Sequence, residues 1–381
     1  MASLNCRIAY CLALAGLGLC AQGARADCNQ PASDAVTHVA LTGHPFSAIP
    51  TADGCTIFVS LTAAKDSHVV VLKRSNGVVT QLRDIPAEGQ LTGMALSPDG
   101  RILAAANGGG ATLFDAAKLV AGADKPALGY LNDRPGAGSI YTAFTPDQYL
   151  LFVSDERAQA LTVYDFAGIL AGRGVKPVGE IRTGDAPVGL AFSPDGKRLY
   201  STSEVASPSG GCSENGGRSH GEGVLMVIDV ARAATDPSGA VQSRISVGCS
   251  PVRVALSPDG GTVYVSARGE NALRVFDAAK LLDDRDHTLI AKIAVGILPV
   301  GVVAAKDRLF ITNSNRFGGG ANQSVSVLNA RDLSAAQASI PAGGFPRELK
   351  LTADGNTLLV TNFASGTLEL VDLARLAQAA K

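Results

Sequence analysis

Pro187-Val188-Gly189-Leu190-Ala191-Phe192-Ser193-Pro194-Asp195-Gly196-Lys197-Arg198-Leu199-Tyr200-Ser201-Thr202 reads as two short strands joined by a tight turn. In the turn, Pro194 presets φ, Asp195 can bond nearby backbone, and Gly196 tolerates positive φ. The same turn, or a near relative, recurs along the chain. Its aspartates are Asp53, Asp99, Asp147, Asp195, Asp259, Asp307 and Asp354, separated by 46, 48, 48, 64, 48 and 47 residues. A unit repeating at this period stacks as one supersecondary module against the next and does not build a single irregular core.

The rest of the unit is read outward from this stretch. A third strand runs from Val224 to Ile228 and ends on Asp229; a short Ala-rich stretch follows, then a fourth strand from Ser243 to Val247. A Gly-x-x-Pro turn opens the next unit. Four short antiparallel strands per unit make a propeller blade, so the expected fold is all-β, a seven-bladed β-propeller. The third strand ends in Asp115, Asp165, Asp229, Asp277 and Asp372, with Asn329 in the sixth unit. Each precedes an Ala/Leu-rich segment, which marks it as a helix N-cap and not a catalytic carboxylate. The last unit has three strands. Val36 to Leu41 matches a fourth strand with no blade before it, so the N-terminal strand is expected to complete blade seven and leave no open edge.

Residues 1–26 read as a targeting segment. Arg7 precedes the apolar run Ile8–Cys20, and Ala24-Arg25-Ala26 supplies a small-x-small cleavage site. Thirteen apolar residues are too few to span a bilayer, and no later run is longer, so no membrane span is expected. Residues 27–381 then form one propeller domain, periplasmic or secreted, and a monomer. Without Arg7 and Arg25 the chain carries 31 basic and 34 acidic residues. That balance gives no general attraction to nucleic acid, and none is expected as a partner.

Cys28, Cys55, Cys212 and Cys249 remain after the targeting segment, an even number for an oxidising compartment. In a four-stranded blade the 2–3 and 4–1 loops share one face (the loop face), and the 1–2 and 3–4 turns share the other (the turn face). Cys212 lies in the long 2–3 loop of blade four, and Cys249 in the 4–1 loop after it. Cys55 opens the second strand of blade one, and Cys28 precedes the closing strand, so both sit on the turn face. Of three pairings only Cys28–Cys55 with Cys212–Cys249 keeps partners on one face. No Cys/His cluster has zinc spacing and no Cys-x-x-Cys-His is present, so neither metal nor cofactor is expected.

Tyr264-Val265-Ser266, Phe310-Ile311-Thr312-Asn313 and Leu359-Val360-Thr361-Asn362, each downstream of one of these turns, resemble the Tyr-Val-Thr-Asn repeats of bacterial β-propellers. That family belongs with the lactonase-like, phosphogluconolactonase-like seven-bladed propellers. The resemblance covers residues from about 36 to 373. It implies the propeller fold and a mixed set of activities, from lactone hydrolysis to ligand binding by exported proteins. The chain has no Trp, which excludes the tryptophan-docked quinoprotein propellers, and no Ser-x-Asp-x-Gly-x-Thr-Trp box of sialidases.

Function is expected on the loop face, around the mouth of the central channel. Blade four inserts residues 205–222, with Glu204 before the insert and His220 within it; blade six inserts 314–323, with Arg316 and Phe317. Aligned unit by unit, the second strands end in Leu61, Asn107, Asp155, Ser203, Ala267, Asn313 and Asn362. Near the start of the first strands stand Ser47, Gly93, Tyr141, Gly189, Arg253, Gly301 and Glu348. Large polar groups where most siblings hold Gly need a reason, either a salt bridge that plugs the channel or a ligand. Arg134, Arg157, Arg268 and Arg347 add cationic forks suited to carboxylate or phosphate. Asn107, Asp155, Glu204, Asn313 and Asn362 could ring a divalent cation, but Asn at a strand end is ordinarily a turn residue. His220 is the one histidine placed to act as a general base.

The expectation is an exported propeller that binds a small molecule or protein on its loop face. The alternative is a lactonase-like hydrolase acting on a sugar lactone or related ester through Arg253, His220 and Glu348. A third class, an accessory subunit of a periplasmic redox or envelope complex, would need an exposed apolar patch.

Overall fold

The computed structural model describes residues 28, 34–63, 66–206, 209–213, 219–318 and 322–379; the expected targeting segment lies outside them. Among these residues, seven four-stranded antiparallel sheets follow one another around a central axis. Their innermost strands are His44–Pro50, Met94–Leu96, Ser139–Phe144, Asp185–Phe192, Pro251–Leu256, Pro299–Ala305 and Pro346–Leu351.

The repeated turn is built by its own side chains. The Ser193 hydroxyl donates to Asp195 Oδ1 (2.6 Å) and accepts from Arg198 N–H (3.0 Å), while Asp195 Oδ1 also accepts from Lys197 N–H (3.1 Å). Gly196 sits at φ 70°. Ser97 with Asp99, and Thr352 with Asp354, make the same set. These bonds satisfy the backbone that the hairpin leaves over, which is why the motif fixes each hairpin.

At the same end of the blade, Asp115, Asp165 and Asp229 accept from the backbone N–H three residues on, as N-caps of short helices. Asp277, Asn329 and Asp372 bond the N–H groups two and three residues ahead. In six blades, one position of the second strand supplies Phe58, Phe152, Tyr200, Tyr264, Phe310 and Leu359, none more than 3% exposed. Each such side chain contributes about 1.5–3 kcal/mol of burial.

The ring closes as the sequence implies. Val36–Ala40 pairs antiparallel with Thr367–Asp372, from Val36 opposite Val371 to Ala40 opposite Thr367. Backbone bonds Leu41 N–H to Gly366 O and Asp372 N–H to Ala35 O extend the seam at both ends. The disulfides are Cys28–Cys55 and Cys212–Cys249, with Cα separations of 4.9 and 5.4 Å. No helix among the described residues is long and apolar enough to cross a membrane.

Two backbone features shape the axis. The first is a β-bulge near the start of the innermost strand in six blades, including Ser139/Tyr141, Pro251/Val254 and Pro346/Glu348. A bulge re-aims the neighbouring side chains. In blade seven it lets Arg347 and Glu348 both reach the axis. The second is a residue in the left-handed region just before the proline that opens blades four to seven: Ala186, Ser250, Leu298 and Phe345 (φ 49–54°).

Candidate functional site

Tyr141, Arg253 and Glu348, 207 residues apart at the extremes, meet on the axis. Arg253 Nε and Nη2 donate to Glu348 Oε1 at 2.8 and 2.6 Å, and Nη1 donates to Val188 O at 2.7 Å. The Tyr141 hydroxyl donates to the same carboxylate oxygen and accepts from Arg253 Nη2. The Arg253 guanidinium carbon also lies 4.0 Å from the centroid of the Tyr141 ring. Burial pushes the Tyr141 phenol up, and Glu348 adds to that, so it stays protonated. For Arg253 burial acts against the charge, but Glu348 outweighs it and the guanidinium is held more firmly cationic than usual. Of the two readings left open by the sequence, the channel-plugging ion pair is what the geometry displays: every polar atom of Arg253 faces protein.

Arg347, next along the bulge, is placed differently. Its guanidinium carbon stacks 3.8 Å from the Phe46 ring centroid and lies 5.6 and 5.8 Å from Phe345 and Phe363. Its Nε is buried without a hydrogen-bond partner, and no carboxylate among the described residues comes within ion-pair distance. Burial lowers its pKa, only partly opposed by Tyr141. Glu156 belongs to the same electrostatic neighbourhood. Burial and the Glu204 carboxylate push its carboxyl up, while Arg347, Arg253 and Arg157 pull it down.

The other expected residues are dispersed. Glu204 and Arg268 form a two-pronged ion pair (2.9 and 2.6 Å) that ties blade four to blade five. Arg134 donates to Ala158 O (2.6 Å) at the exposed rim, 3.7 Å from Glu180. Arg316 stacks over the exposed Phe317 ring at 4.7 Å. His220 pairs backbone to backbone with Cys212; its Nδ1 donates to Gly221 O (2.7 Å), and Ser250 Oγ lies 3.4 Å from Nε2.

Residues of the strand-two ring are tied into their own blades. Asn313 donates to Ser324 and Ser326, and Asn362 to Thr367 and Glu369, so each asparagine pins the next strand of its own blade. Asn107 does the same with Thr112. Asp155 is 1% exposed and bonds Ser139 (2.6 Å) and Thr162 (2.5 Å). Among the described residues no group of His, Cys, Asp and Glu could hold a metal ion.

A channel segment of about 620 Å³ runs along the axis. Its floor is Tyr141, Arg253 and Glu348, and it reaches the first-strand turns at Ala52 and Ser97–Gly100. It therefore opens at the turn face, beneath the plug, and not among the elaborated loops. Sequence reasoning passed over Glu156 and the phenylalanines around Arg347. The signal for the latter was available, since Phe46, Phe345 and Phe363 all lie at strand ends beside the axis.

Residues 132–293 match a family model described as "Lactonase, 7-bladed beta-propeller". No curated protein matches the chain. Among solved structures, Kuenenia stuttgartiensis hydrazine synthase contains a similar chain: TM-score 0.64 and 19% identity over 88% of this chain and 97% of that one. At that identity the likeness speaks for the fold alone. With seven blades observed, this chain is a seven-bladed β-propeller whose blades three to five are similar to the lactonase family.

Proposed function

We propose that this is an exported binding protein that receives the anionic end of a small molecule at the loop-face end of its axis, above the plug. The observation that carries this reading is Arg347: a cation held against Phe46, with a buried Nε and no carboxylate partner among the described residues. A guanidinium taken from water without a counter-charge is costly, and cation–π contact offsets only about 0.5–2 kcal/mol of that. A bound carboxylate or phosphate supplies the missing charge and accepts from the fork. The two disulfides fit export, since such bonds persist in oxidising compartments.

The test is calorimetric titration with gluconate and 6-phosphogluconate, comparing the parent protein with Arg347→Met. Saturable binding that falls at least tenfold in the variant supports the reading. Equal heats from both proteins remove it.

The family match favours lactone hydrolysis as a second reading. There Arg347 would stabilise the oxyanion of the opening lactone and Glu156, its pKa raised by burial and Glu204, would take the proton of the attacking water. Opening of glucono-δ-lactone above the spontaneous rate, lost in Glu156→Gln, would favour this; no turnover would leave binding alone.

A further inference from the structure

Two residues below the plug, each innermost strand contributes one more side chain to the channel wall. Six of these are Ile49, Ala95, Ala143, Ala191, Ala255 and Val303; the seventh is Lys350. Its amine makes no hydrogen bond or ion pair among the described residues, although the side chain remains accessible through the cavity. The nearest charge acting on it is Glu348, which Arg253 already neutralises. Its side chain is exposed to the channel and ties nothing in the wall together, at a level where the other six blades present only Ile, Ala and Val.

We propose that the 620 Å³ channel segment is a second binding site, open at the turn face, for a molecule with one carboxylate and a compact apolar body. The carboxylate pairs with the Lys350 ammonium, and the aliphatic walls cover the body. A dicarboxylate would leave a charge against Ala and Val, and a cation would meet Lys350 with like charge, so the site selects singly charged acids. Nothing here depends on Arg347, which lies on the other side of the plug.

Sodium octanoate is the probe, with octan-1-ol as a partner that lacks the charge. Octanoate should bind one per chain. Its affinity should fall at least tenfold in Lys350→Met, which keeps the side-chain length, and in Ala191→Phe, which fills the channel. Octanol should bind more weakly to the parent and be unaffected by Lys350→Met. Thermal melts confirm that both variants fold. Arg347→Met should leave octanoate binding unchanged, which separates this site from the loop-face site. No octanoate binding to the parent, or equal binding to Lys350→Met, overturns the proposal; loss in Arg347→Met alone would assign the acid to the loop face instead.

Discussion

Gly93 and Tyr141 are neighbours so close that a Cβ on the glycine would lie 2.2 Å from the tyrosine ring and 2.7 Å from Ile140 O. Gly93 also donates its N–H to that carbonyl at 2.9 Å. The glycine of one blade is therefore the space into which the aromatic side chain of the next is fitted. Gly93→Ala should displace the ring and break the Tyr141–Glu348 contact. The ring can move but the carbonyl cannot, so a cost of about 1–3 kcal/mol is expected from overpacking. A urea midpoint shared with the parent would show that the close approach is relieved elsewhere.

The Arg253–Glu348 pair is largely withdrawn from water, with side chains 9% and 17% exposed. Removing one partner leaves an uncompensated charge near the axis, whereas removing both removes the need for either. Glu348→Ala should cost about 3–5 kcal/mol. Arg253→Met combined with Glu348→Leu should recover most of that loss. A double variant as unstable as the single would mean that the pair does more than satisfy itself. Denaturant unfolding of the three proteins decides it.

Asp155 gives a pH dependence with a definite sign. Ser139 has one hydroxyl proton yet contacts Asp155 Oδ1 (2.6 Å) and Asp133 Oδ2 (2.9 Å), so one of those contacts needs a proton carried by a carboxyl. Burial and the Asp133 carboxylate push Asp155 up to about 8. The unfolded value is near 4, so folding takes up a proton between the two. Stability is then full below about pH 4 and declines as pH rises toward 8, by at most about 1.4 kcal/mol per unit. Glu156 and Glu369 are also raised and add slope of the same sign. Asp155→Asn should flatten the profile and be the more stable protein at pH 8. Parallel profiles for the two proteins between pH 5 and 8 would rule out a protonated Asp155.

Why the fold was legible and the site only half so follows from where information is stored. Ser193 and Asp195 bond their own backbone and Gly196 takes the positive φ, so six such turns, with the shorter Lys306-Asp307 turn of blade six, spell out seven hairpins without knowledge of any tertiary contact. Tyr141, Arg253 and Glu348 were visible because they break a pattern of small residues, and an aligned repeat places aligned residues on one axis. Lys350 breaks an apolar pattern in the same way and could have been found two positions later. Asn313 and Asn362 were harder to read because a strand end can look outward to a ligand or inward to the next strand. The Ser and Thr facing them in the third strand decide for the inward course. The Asp133 partner of Asp155 lies in a 4–1 loop, where the repeat has no fixed register, and no spacing rule reaches it.

The seam between the two ends of the chain is the part of the ring held by pairing and not by chain continuity. Val36, Val39 and Leu41 pack against the blade-seven side of two core clusters that include Leu368, Leu370 and Val371. A chain beginning at residue 42 would expose Thr367–Asp372 as an unpaired edge, which invites pairing with another copy. Such a chain should elute as a concentration-dependent oligomer, and a peptide of residues 34–42 should return it to the parent's elution volume. Cys28→Ser with Cys55→Ser tests the staple separately. It opens a 27-residue connection, worth roughly 3 kcal/mol in the chain-entropy picture, while leaving the strand able to pair. That variant should melt lower yet remain the size of the parent. Oligomers from the cysteine variant would mean that the bond, and not the strand, keeps the ring shut.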